Sequence, residues 1–227
     1  MYRWVIALFF TFALAYSVYE NIELRHFNVC YIYLTHQNFC VTVITTWLGA
    51  ILVTAHHLGK LDVEKEMTGS LQLYWILWNQ TIVFACIITL FYWYSPHDDG
   101  LLTYNNLLIH ILNSAVLIFD LFIVNHPARF LNFIYFLPTE LTYLVFTFVY
   151  QHLGGVDKFG KNYVYPRADW KNDAKTAWIH FVVFMAFSIA FHITINSIHS
   201  LRRKFHRKLT AKTSFDLAKR TCGVNTV

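Results

Sequence analysis

Long apolar runs, each closed by a short polar stretch, set the pattern of this chain. Residues 4–19, 31–54, 71–94 and 176–200 contain no Asp, Glu, Lys or Arg, residues 101–124 contain only Asp120, and residues 130–153 contain only Glu140. A bilayer hydrocarbon core is ~30 Å thick, and a helix needs roughly 20 mostly apolar residues to cross it. The pattern therefore predicts an all-α polytopic transmembrane helix bundle with six spans at about these six runs. Tyr16, Tyr19, Trp75, Trp78, Trp93 and Tyr94 sit near run ends, where amphipathic rings favour the membrane–water interface. Residues 59–70 are charged, 95–100 and 125–128 read as tight turns, and 154–175 form a longer polar loop containing Pro166. Residues 205–227 read as a basic tail.

Composition agrees with this reading. Hydrophobic residues make up 56% of the 227 and charged residues 14%, where soluble domains carry about a quarter. No stretch remains for a second, water-soluble domain. The net charge of +5 is concentrated beside the last span, so the expected partner is the lipid surface and not nucleic acid. Arg202, Arg203, Lys204, Arg207 and Lys208 lead that cluster and are candidate ligands for anionic headgroups, at ~1 kcal/mol per cation near the surface. The same cluster also serves as a topology signal. With six spans, one side holds Arg3, Lys60, Lys65, Arg129 and the tail cations, while the other holds Arg25 and the five of residues 158–175. The richer side is expected to be cytosolic, which puts both termini and the tail inside. The first run also resembles a signal peptide, with Ala13-Leu14-Ala15 near its end. Its terminal tyrosines favour an uncleaved span.

Four scattered cysteines make no disulfide framework, and the sequon at Asn79-Gln80-Thr81 falls inside a span. Zinc needs three or four convergent ligands. No His-Glu-x-x-His pattern is present, and His56 and His57 are adjacent and so point to different faces. No metal and no cofactor are expected.

Polar residues inside the spans carry the remaining information. A charge at mid-bilayer costs roughly 2.5–3.5 kcal/mol on insertion scales, so ionisable groups there face the bundle interior. Asn106, His110, Asn113 and Asp120 fall at i, i+4, i+7 and i+14, one face of an α-helix. His192, Asn196 and His199 repeat the pattern in the last span, Glu140 and Thr142 lie in the fifth, and the second brings Thr35, His36, Asn38 and further threonines. Such stripes serve as hydrogen-bonding glue between helices, or they line a polar cavity.

Several of these residues fall in recognisable strings. His110-Ile111-Leu112-Asn113-Ser114, then Asp120 through Asn125-His126-Pro127, resemble the rolling stone family. So do Gly154-Gly155-Val156-Asp157 through Gly160, Tyr163-Val164-Tyr165-Pro166, Asp169-Trp170 and Tyr33-Leu34-Thr35. The resemblance covers about residues 30–204 and implies a multi-pass plasma-membrane protein linked to myoblast fusion. A more distant resemblance is to the androgen-induced and androgen-dependent membrane proteins, six-span hydrolases of fatty acid esters of hydroxy fatty acids. That likeness implies a Thr nucleophile at Thr35 and equally allows the endoplasmic reticulum. It implies a catalytic His at the position where this chain has Asn113, while the preceding His of that family's run is retained as His110. Neutral Asn cannot take a proton from a hydroxyl. A hydrolytic version of this chain would therefore use His110 as base, with Asn113 donating to the oxyanion and Asp120 orienting from behind. Glu140, His192 and Asn196 would complete the polar cavity. The third alternative is a lipid-binding or transport protein with no turnover.

Overall fold

The computed structural model describes residues 1–61, 68–94, 103–124 and 130–223. The turns expected at 95–100 and 125–128 lie outside the described residues.

Helix α1 (Tyr2–Glu23) leads through the short α2 (Phe27–Cys30) to α3 (Leu34–His57) and α4 (Gly69–Tyr94). The next span is α5 (Tyr104–Asn106), a π-helical segment (Leu107–Leu112) and α6 (Asn113–Ile123) in unbroken sequence. A 3-10 turn (Phe130–Tyr135) then enters α7 (Leu137–His152), and α8 (Ala174–Gly223) completes the chain. Among the described residues, six helices are long and apolar enough to cross a membrane: Tyr2–Glu23, Leu34–His57, Gly69–Tyr94, Tyr104–Ile123, Leu131–His152 and Ala174–His206. They fall on the six apolar runs, with ends displaced by a few residues. The last does not stop near Ser200, because its helix continues through the basic tail to Gly223.

Local chemistry sets the helix ends. Gly59 and Gly154 take φ of 69° and 87°, the left-handed conformation a glycine adopts without a Cβ penalty. There the Lys60 N–H reaches back to Ala55 O at 2.9 Å and the Gly155 N–H to Tyr150 O at 2.9 Å, closing α3 and α7. The Thr103 hydroxyl accepts from the Asn106 N–H at 3.2 Å and starts α5. Pro138 lies in the first turn of α7, where its missing N–H costs nothing.

The core lies where α4 meets its neighbours. Trp78, Ile82, Phe84 and Ile87 of α4 are buried with Phe10, Phe39, Leu117 and Phe136. Gly49 lets α3 approach α4 closely, since a Cβ there would lie 2.8 Å from the Tyr74 ring. Large side chains exposed on the outside, such as Val145, Phe148, Val182 and Phe187, form the surface a bilayer would cover.

Most polar residues of the spans do hold helices together or bond their own helix. The hydroxyls of Thr42, Thr45 and Thr54 donate to carbonyls one turn back at 2.7–2.9 Å, which removes the cost of an unsatisfied group in hydrocarbon. Trp47 Nε1 donates to the Thr11 hydroxyl at 2.7 Å and Trp4 Nε1 to that of Thr54 at 3.0 Å, joining α1 to α3.

Candidate functional site

Three polar regions lie along the bundle axis. The first is at the end carrying the termini. Asp120 of α6 is buried there, paired with Arg3 at 3.0 Å. It also accepts from the Tyr2 hydroxyl at 3.0 Å and Trp78 Nε1 at 3.0 Å. These donors engage both of its oxygens. Ten residues separate Asp120 from His110, about 15 Å of helix at ~1.5 Å per residue. Asp120 therefore anchors α1 to α4 and α6, and the orienting role behind His110 is corrected. Arg202 is spent nearby, its Nη1 donating to Leu121 O and Val124 O at 2.7 Å each. It caps the last turn of α6, where carbonyls lack helical partners and a cation is favoured, so it is not a free headgroup ligand. Arg203 is half-buried, Lys204 and Lys208 are exposed, and the Arg207 side chain lies outside the described residues.

The second region is at the opposite end. His110 stacks on Tyr92 at 3.6 Å with 16° between rings, and its carbonyl accepts from the Thr89 hydroxyl at 2.8 Å. The π segment changes the expected face. With a longer turn, the residue beneath His110 is i−5 and not i−4, so Asn105 is buried where Asn106 was expected, and Asn106 is half-buried. Asn113 donates to Ile109 O at 3.4 Å, and its buried Oδ1 has no hydrogen-bond partner. Thr35 is buried in the first turn of α3. Asn38 Nδ2 points to Thr81 O at 3.5 Å, while Thr89 bonds His110. In these antiparallel registers Thr35 lies about level with Asn113, and His110 lies about one turn nearer the loops. An open groove of about 390 Å³ is lined by Gln37, Pro138, Thr139, Thr142, Tyr143 and Phe146. Gln37 is two residues from Thr35, about 200° around the helix, so the groove faces away from the threonine.

A cap covers this end, built from residues 153–173. Asp157 Oδ1 accepts from the N–H groups of Phe159 and Lys161 at 2.8 Å each, folding the first half on itself. Tyr165 and Tyr143 both present their hydroxyl oxygens to the Leu34 N–H at 3.1 Å, and Tyr143 donates to Ile32 O at 2.9 Å. The Lys158 N–H donates to Tyr33 Oη at 3.2 Å. At the other end of the cap, Gln151 Nε2 donates to Asp169 at 2.7 Å and its Oε1 accepts from the Trp170 N–H at 2.7 Å. Trp170 Nε1 reaches the Thr147 hydroxyl at 3.2 Å. Burial alone would raise the Asp169 carboxyl, but hydrogen bonds from the Asn172 side chain and N–H and from Gln151 outweigh it and hold the group below its ordinary value. The cap thus ties Tyr33-Leu34-Thr35 to Tyr165 and Asp169-Trp170. Sequence reading found the strings but missed Tyr143 and Gln151, which carry no signal apart from their partners.

The third region is the α7–α8 seam. Glu140, Ser188, His192 and Asn196 are buried there. The expected cavity residues Glu140, His192 and Asn196 therefore share one seam, lined by α7 and α8, while Thr35 is on α3 and His110 on the π segment. Among the described residues, no cluster of three or more His, Cys, Asp or Glu is placed to hold a metal.

These features define a polytopic α-helical membrane protein with a stitched cap at one end and a buried ion-pair cluster at the other. The rolling stone family model matches residues 1–218, and the chain belongs to that family. It is 28% identical over 222 residues to the protein rolling stone of Drosophila melanogaster, across 91% of this chain and 78% of that one. No solved structure matches.

Proposed function

We propose that this protein works at the cell surface as a membrane organiser in cell–cell fusion of the myoblast type. The observation that supports this reading is the cap. Tyr143 and Tyr165 fix its tip to the start of α3, and Gln151 and Asp169 fix its base to α7. A loop held at both ends presents one fixed surface beyond the bilayer. The Lys and Arg bias supports an external setting for that surface, where a partner membrane would be met. Three of the six strings that resemble rolling stone lie in it, and a fourth, Tyr33-Leu34-Thr35, is tied to it. The test is genetic. Loss of the protein in fusion-competent cells should block syncytium formation, and wild-type protein should restore it. A surface-expressed Gln151→Ala/Asp169→Ala variant should fail to do so. Normal syncytia without the protein would end this reading.

A second reading has its own support. The register of α3, α4 and the π segment leaves Thr35, His110 and Asn113 at neighbouring depths under the cap. In an intramembrane lipid esterase, His110 would take the Thr35 proton as the hydroxyl oxygen attacks the ester carbonyl, and Asn113 would donate to the oxyanion. Collapse of that oxyanion would break the ester C–O bond, the hydroxy fatty acid would leave with the proton from His110, and water would then hydrolyse the acyl-Thr35. Substrates would be fatty acid esters of hydroxy fatty acids, by likeness to the androgen-induced proteins. A fluorophosphonate probe decides it: labelling of the folded protein that vanishes in Thr35→Ala and in His110→Ala supports the esterase, and no labelling rejects it.

A further inference from the structure

Glu140 takes no chemical step in either reading, yet it carries a carboxyl group into the membrane-spanning region. It is 3% exposed, and neither carboxyl oxygen has a partner at full hydrogen-bonding geometry. Its polar neighbour is the Ser188 hydroxyl of α8, which donates to Phe184 O at 3.1 Å. A buried carboxylate without donors is strongly disfavoured, and the group escapes that cost by holding a proton.

The neighbours of Glu140 repeat at one-turn intervals toward the terminus-bearing end. The helices run antiparallel, with Glu140 beside Ser188 and Phe136 beside His192, ring centroids 5.6 Å apart. Asn196 Nδ2 lies 2.7 Å from His192 Nε2. Donation in that direction leaves the ring proton on Nδ1. His199 follows one turn on, its buried Nε2 without a hydrogen bond and its ring 5.8 Å from Trp78. Trp78 then reaches Asp120 at the end of the bundle. Asn132, at the entry to α7, adds a buried Nδ2 without a partner. The charged and titratable groups along this seam are His192 and His199 of α8, with Arg202 and Arg203 near His199 and Asp120 with Arg3 reached through Trp78 at its foot. Arg3 is paired to Asp120 and Arg202 to α6 carbonyls. Among the described residues, the seam between Glu140 and that end holds the imidazoles of His192 and His199 and the amides of Asn196 and Asn132.

We propose that Glu140 is a proton-binding site, and that the α7–α8 seam through His192 and His199 is its route of exchange with the terminus-bearing face. On release, the carboxyl O–H bond breaks and the proton passes to intervening water or to imidazole. On return, the O–H bond re-forms. No electron donor or acceptor is involved.

Infrared spectroscopy of the full chain in lipid nanodiscs tests this. A protonated carboxyl gives a C=O stretch that Glu140→Gln abolishes. If that variant does not fold, Glu140→Asp assigns the band by shifting it. On transfer to D2O the wild-type band should shift promptly. The shift should slow several-fold in His192→Phe and His199→Phe, or in the Gln variants if the Phe variants misfold, and should be unchanged in Thr35→Ala. The proposal is overturned if the band is absent, if it does not exchange, or if both histidine variants exchange at the wild-type rate. Loss of the band on adding sodium at constant pH would make the ligand a metal cation and equally overturn it.

Discussion

Arg3 and Asp120 are 117 residues apart in sequence and 3.0 Å apart in space. The pair joins the first turn of the chain to the end of the fourth span. Their side chains are 11% and 3% exposed, so neither charge has water to fall back on. Removing one partner of a buried pair typically costs about 3–5 kcal/mol, because the survivor is left uncompensated. Arg3→Ala and Asp120→Ala should each lower the thermal unfolding midpoint in nanodiscs. The double variant should lose clearly less than the sum of the two. Additive losses would mean that the pair contributes no coupling.

Acid should loosen the cap. The Asp169 carboxyl is held below its ordinary 3.8 by hydrogen bonds that only the charged form accepts well. A depressed folded value means that this stabilisation is present in full above the ordinary value and is lost as pH falls through the folded one. Asp173, which accepts from the Thr176 N–H at the start of α8, moves in the same direction. Protection of the Trp170 N–H, its exchange rate relative to the intrinsic rate at the same pH, should therefore be high at neutral pH and fall below about pH 4. In Asp169→Asn, protection should be weaker at neutral pH and the acid step smaller. An unchanged acid step in that variant would remove Asp169 from the account.

The spans were legible because uncharged runs of this length have one stable setting. Partners were not. The same apolar count that places α6 in the membrane cannot say that Arg3 of another span will claim Asp120. The face holding His110 was read with an α-helical period, and the π turn displaced it by one residue, exchanging Asn106 for Asn105. Arg202 was counted among free tail cations because the ending of α6 beside it is a tertiary fact. Ser188 carried no signal, since a lone serine in an apolar helix reads as ordinary packing. Asp169-Trp170 stood out as a string, but only the fold shows it gripping Gln151 and Thr147.

Gly155 should not tolerate a side chain. A Cβ there would overlap the ring of Tyr150, whose hydroxyl donates to Val156 O at 2.9 Å. Tyr150→Phe removes that bond alone, worth about 0.5–1.5 kcal/mol net. Gly155→Ala must also displace the ring, so it should lower the unfolding midpoint more than Tyr150→Phe does. Its effect should shrink when combined with Tyr150→Ala, which makes room. If Gly155→Ala is as stable as wild type, the ring and the glycine are not in contact.

The basic tail should divide into two kinds of cation. Arg202 is committed to α6, while Lys204 and Lys208 stand exposed on a helix that continues to Gly223. A helix leaving the membrane with exposed lysines can lay them against anionic headgroups at ~1 kcal/mol each, and salt screens the attraction. Native mass spectrometry of the detergent-purified protein should show retained phosphatidylserine that falls in Lys204→Ala/Lys208→Ala and at high salt, with no change in unfolding midpoint. Arg202→Ala should do the opposite, lowering the midpoint while leaving lipid retention nearly intact, because the carbonyls of Leu121 and Val124 lose their donor. Equal lipid loss in both variants would return Arg202 to the headgroup cluster. Retention that ignores lipid charge would leave the lysines as a topology signal alone.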